Sequence, residues 1–130
     1  MNVIKWETPA SELRHARFQS LTHTSALVIT IEGERDAGLA IVTFTFQKAL
    51  AYRTLLEEYR TELWRTSSDL SQLGWTRRIV DSPWVRELVS SEPLFLINRG
   101  DKATHYLVCM EDEVIDVLSI EPPEIAVVRG

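Results

Sequence analysis

Two runs of alternating apolar residues, SALVITIE (25–32) and LAIVTFTF (39–46), flank the segment GERDAG (33–38). A period of two is the pattern of a strand with one buried face, and two such runs around a glycine-bearing turn make a hairpin. With Gly33 opposite Gly38 the loop is Glu34 to Ala37, a common hairpin length. That register sets Ile31 against Ala40, Ile29 against Val42 and Leu27 against Phe44, all on one face. The other face carries Val28, Thr30, Ile41, Thr43 and Thr45, a mixed surface on which a homodimer would form.

A second strand pair is written in HYLVCMEDEVIDVLS (105–119). A two-residue loop of Glu111 and Asp112 pairs Val108 with Ile115 and Tyr106 with Val117, and puts Asp116 on the face of His105, Leu107 and Cys109. A three-residue loop pairs Val108 with Asp116 and moves Asp116 to the face of Tyr106 and Met110, because a one-residue slip exchanges faces. Both faces are largely apolar, as in a strand covered on both sides. A carboxylate there must reach solvent at an edge, pair with a cation, or titrate abnormally.

The segment QKALAYRTLLEEYRTELWRTSS (47–68) lacks Gly and Pro, and its Tyr52, Leu56, Tyr59 and Leu63 follow a helical stripe, which predicts a helix. Its first turns, ALAYR, also fit a continuation of the preceding strand. Ser82 followed by Pro83 is the best cap-and-start signal in the chain and predicts a short helix ending before Pro93. LFLIN (94–98), the turn RGDK (99–102) and ATHYLVCM (103–110) read as a further strand pair, and EIAVV follows Pro122-Pro123. ELRHARFQSL (12–21) fits neither period well and leans to a strand. Consecutive strands joined by short turns predict an α+β domain over 1–130, a mainly antiparallel sheet of about five or six strands with two helices on one face.

Composition narrows the function. With 45% hydrophobic and 25% charged residues the chain is globular rather than disordered. No apolar run approaches the length of a membrane span, and the start MNVIKWETPASE has no export pattern. One cysteine, Cys109, sits inside an apolar strand and fits a reducing cytoplasm. A net charge of −5 argues against nucleic acid as the partner. His15, His23 and His105 lack metal-ligand spacing, no GxSxG elbow is present, and no glycine-rich loop could cradle a phosphate, so neither metal nor cofactor is expected. Arg99-Gly100-Asp101 is read as a turn rather than an adhesion motif.

Charge is distributed unevenly. Tyr106 to Glu124 contains Glu111, Asp112, Glu113, Asp116, Glu121 and Glu124 and no Lys or Arg, while Arg53, Arg60, Arg65, Arg77, Arg78 and Arg86 lie in the middle of the chain. The two groups either pair internally or leave an acidic face for a basic partner. Trp84, in the first turn of the capped helix, is the tryptophan placed to touch a partner.

Three segments carry a resemblance: F-x-x-A-x-A-Y-R with a following acid (Phe46, Ala49, Ala51, Tyr52, Arg53, Glu57), D-S-P-W-V-R-E-L (81–88), and H-Y-L-V with V-I-D-V-L (105–108, 114–118). Their order resembles small uncharacterised bacterial proteins, some of which look like immunity partners of secreted toxins. The resemblance covers roughly the C-terminal two-thirds of the chain. It implies a bacterial cytoplasmic binding protein, and it implies an extended AYR segment. The resulting expectation is a non-enzymatic protein-binding module of the immunity type, docking a basic toxin domain through Glu111, Asp112, Glu113, Asp116 and Trp84. The competing expectation is a small-molecule binder or enzyme with a cleft between sheet and helices, built on Asp116, His105, Arg53 or Tyr52.

Overall fold

The computed structural model describes residues 1–56, 60 and 73–129. Nine strands are described: β1 Asn2–Lys5, β2 Arg14–His23, β3 Leu27–Arg35, β4 Gly38–Phe46, β5 Ala49–Leu56, β6 Thr76–Val80, β7 Thr104–Cys109, β8 Glu113–Ser119 and β9 Glu124–Arg129. Two helices, α1 Pro83–Ser91 and α2 Pro93–Ile97, lie between β6 and β7. The strands form two sheets, not one: a five-stranded sheet in the order β1-β6-β7-β8-β5 and a four-stranded sheet in the order β2-β3-β4-β9. Every pairing is antiparallel. The single sheet expected from the sequence is thereby corrected. Short turns fix which strands are neighbours, but they do not reveal where the chain steps from one layer to another.

The sheets stack through their apolar faces. Alternate residues Leu27, Ile29 and Ile31 of β3 and Ala40, Val42, Phe44 and Phe46 of β4 are sealed from solvent, and they meet Tyr106, Val108, Ile115 and Val117 of the other sheet in one core. Trp6 bridges the layers, with ring centroids 4.8 Å from Tyr106 and 5.8 Å from Phe44. Gly33 fits this core because a side-chain carbon there would stand 2.9 Å from the Leu13 Cβ. The chain changes sheets between β4 and β5 through Gln47 and Lys48 alone, with a register shift at Ala49/Ala51, the usual device at a sheet corner.

The β3–β4 hairpin forms as expected, with its register moved by two. Arg35 pairs with Gly38, so the loop is Asp36 and Ala37, and Ile31, Ile29 and Leu27 face Val42, Phe44 and Phe46. A shift of two leaves every side chain on its expected face. Asp36 takes a positive φ of 55°, which Asp tolerates in a tight turn.

Two expected elements differ. Residues 49–56 of the expected 47–68 helix are β5, paired with β8 from Ala49↔Ser119 to Leu56↔Glu113. Residues spaced by four share a face in a strand as well as a helix, so Tyr52 and Leu56 did not separate the two periods. The rest of that segment, Arg60 excepted, lies outside the described residues through residue 68. LFLIN is the helix α2, started by Pro93 with Glu92 as N-cap, since a short apolar run fits strand and helix alike. Ser82 caps α1 as expected, accepting from the Val85 N–H at 3.2 Å. Residues 100–102 form a 3₁₀ turn after Arg99 at φ 68°, and Gly100 is required because the Phe95 ring occupies the place of a side chain there. No helix among the described residues is long and apolar enough to cross a membrane.

Candidate functional site

The second hairpin takes the two-residue turn. Val108 faces Ile115, Leu107 faces Asp116 and Tyr106 faces Val117, and the Met110 N–H closes the turn on the Glu113 carbonyl at 2.8 Å. Tyr106, Val108, Ile115 and Val117 therefore point between the sheets. His105, Leu107, Asp116 and Leu118 point to the outer face of the five-stranded sheet.

On that outer face Lys5, Arg77, Leu107, Asp116 and Arg53 stand side by side across all five strands. Asp116 is wholly buried. Arg60 binds it with both terminal nitrogens, one to each carboxylate oxygen, and the Arg53 Nε lies 3.3 Å from Oδ2. The Arg53 contact has charge proximity without hydrogen-bond geometry. The Arg53 guanidinium lies over the Trp84 ring, 4.3 Å from its centroid.

The remaining partner of Asp116 is His105, whose Nε2 lies 2.6 Å from Oδ1, and the other ring nitrogen, Nδ1, lies 2.6 Å from the Ser82 Oγ. Burial pushes the Asp116 carboxyl up, but hydrogen bonds from His105 and Arg60 and their charges outweigh it, so it titrates below the ordinary aspartate value. An ionised carboxylate only accepts, so Nε2 carries the hydrogen. Ser82 Oγ already accepts from Val85, so in the tautomer with the hydrogen on Nε2 alone the serine hydroxyl donates to Nδ1. In that tautomer one directed chain runs from the N-cap of α1 to a carboxylate on β8.

The acids of the C-terminal third are divided by this arrangement. Glu111 and Asp112 form the exposed turn between β7 and β8. Glu113 begins β8, 3.3 Å from the Thr54 Oγ1. Glu111 meets the His15 Nδ1 at 2.6 Å, and its N–H binds the Ala16 carbonyl of β2 at 3.0 Å, which pins the turn to both sheets. Asp112 is exposed and has no partner among the described residues. Leu55 and Leu56, half exposed, flank the turn from β5. Glu121, paired with Lys48 at 3.4 Å, and Glu124 lie at the far end of β8.

The five residues expected to contact a partner thus fall in two places. Glu111, Asp112 and Glu113 cluster at one turn. Asp116 is sealed on the outer face of the sheet by Arg60, Arg53 and His105, where no docked protein could touch it, and Trp84 lies half buried beside His105, 5.7 Å between ring centroids. Of the residues expected around a cleft, Arg53, His105 and Asp116 meet, while Tyr52 turns to the other face and packs on His23. Ser82 and Arg60 are the additions. Ser82 was visible in the sequence as a cap, but nothing local tied it to a histidine 23 residues away. Among the described residues no group of His, Cys, Asp or Glu is arranged to hold a metal.

No protein-family model, no curated protein and no solved structure matches this chain.

Proposed function

We propose that the chain is a protein-binding module of the immunity type, which docks a basic partner on the turn Glu111-Asp112-Glu113. The observation that carries this reading is the mounting of the turn. Its main chain is held by backbone bonds to both sheets, and among the described residues its carboxylates face one basic side chain, the exposed His15. A charged loop already fixed in place loses little freedom on binding, and its field accelerates encounter with a basic surface. Exposed Leu55 and Leu56 supply apolar area beside the acids, as interface centres require. The proposed contact set is smaller than the five residues expected from the sequence: Asp116 is buried, and Trp84 lies beside His105 away from the turn, which leaves Glu111, Asp112 and Glu113.

Calorimetric titration against a panel of basic toxin nuclease domains tests this reading. The expected result is tight binding of one domain, weakened by salt and abolished by E111K/D112K/E113K. If no domain binds, or binding ignores both salt and charge reversal, the proposal fails.

A further inference from the structure

We propose that Ser82 is an acyl-accepting nucleophile, activated by His105, for small carboxylic esters entering the cleft between α1 and the β6–β7 end of the five-stranded sheet. The geometry is that of a nucleophile, a base and an orienting acid in sequence: Ser82 Oγ to His105 Nδ1 at 2.6 Å, and His105 Nε2 to Asp116 Oδ1 at 2.6 Å. The imidazole is turned the other way round from the usual serine-hydrolase arrangement, with Nδ1 towards the hydroxyl. Either ring nitrogen can take a proton while the opposite N–H is held by a carboxylate.

The chain ends at an opening. Ser82 and His105 both line a cleft of about 380 Å³, shared with Arg78, Val85, Arg86 and Thr104. That volume suits a small acyl group. The hydroxyl sits at the N-cap of a nine-residue helix, where Pro83 has no N–H and the Val85 N–H already binds Oγ, so the Trp84 N–H and the helix dipole are what favour developing negative charge. Capping alone does not account for the arrangement. The cap needs only the Val85 N–H, whereas burying an imidazole, a carboxylate and a guanidinium is no more stabilising than apolar packing of the same volume. Arg60 binds both carboxylate oxygens and the Arg53 Nε lies beside Oδ2, which fixes the carboxylate with Oδ1 also 2.6 Å from the ring nitrogen. The same cations weaken the carboxylate's support of an imidazolium, so turnover is slow.

In the first step Ser82 Oγ bonds to the ester carbonyl carbon and its proton passes to Nδ1. The carbon–oxygen bond to the leaving alcohol breaks, and that oxygen takes the proton. Water then gives a proton to Nδ1 as its hydroxide adds to the acyl carbon, and Ser82 leaves with the proton restored. Ester and water become acid and alcohol. This chemistry lies at the Thr104 end of β7, away from the acidic turn at its other end, so it stands or falls apart from partner docking.

The test is labelling of the full wild-type chain with a fluorophosphonate probe, read by intact mass and peptide mapping, with chymotrypsin as the positive control. One adduct at Ser82 is expected, formed about 100-fold more slowly in His105→Gln, and Ser82→Ala should be unlabelled. Labelling absent or only at other residues overturns the proposal. So does a Ser82 adduct whose rate is unchanged in a folded His105→Gln. The decisive site is mapped on the wild-type chain, so a variant that fails to fold does not remove the answer.

Discussion

The space between the two sheets and the outer face of the five-stranded sheet lie one strand thickness apart, and β7 and β8 serve both. Tyr106, Val108, Ile115 and Val117 go inward to an apolar layer, while the residues between them carry His105 and Asp116 to the other side. The inner layer holds by area and fit, so its loss is graded with each atom removed. The outer cluster holds by mutual neutralisation. Removing one member leaves the others buried without a counter-charge, so its loss comes in one step.

The largest effects test that contrast directly. Phe44→Ala and Asp116→Ala are each expected to cost about 3–5 kcal/mol at neutral pH by urea denaturation. They should part in acid. Because the Asp116 carboxyl titrates below its unfolded value, its contribution is complete above that value and is lost as pH falls through the folded one. The Asp116→Ala deficit should therefore shrink below about pH 4, and the Phe44→Ala deficit should not. Equal pH dependence in the two variants would break the distinction.

Ser82→Ala is expected to cost about 1–2 kcal/mol, since it removes the cap of α1 and the partner of the His105 Nδ1 together. Chemical denaturation measures it, and a neutral result would mean that α1 is not anchored through this contact. The smallest effect is at the rim. Trp84→Leu takes the ring from beneath Arg53 and should lower stability by about 0.5–1 kcal/mol, with the acid response of Asp116 intact. A Trp84 variant that loses that acid response would show the rim and the buried cluster to be one unit.

The two layers also differed in how far the sequence exposed them. Alternation identified the inward set of β3 and β4 even though the loop length was misjudged, because a register error of two preserves the faces. The turn at Glu111-Asp112 contained the His105–Asp116 contact as one of two registers, and the deciding bond runs between the Met110 N–H and the Glu113 carbonyl. Nothing in the local pattern could bring Arg60 to that carboxylate or Ser82 to His105, since each comes from a segment distant in the chain. The extended reading of ALAYR, the alternative to a helix, is the one that pairing with β8 realises over Ala49–Leu56.

Gln47 and Lys48, the two residues between β4 and β5, carry the polypeptide around the corner from one layer to the other. With so short a span, neither layer can slide or peel away while its neighbour keeps its pairing. Melting is therefore expected as a single event, and any lengthening of that corner would be the simplest way to make the halves come apart separately.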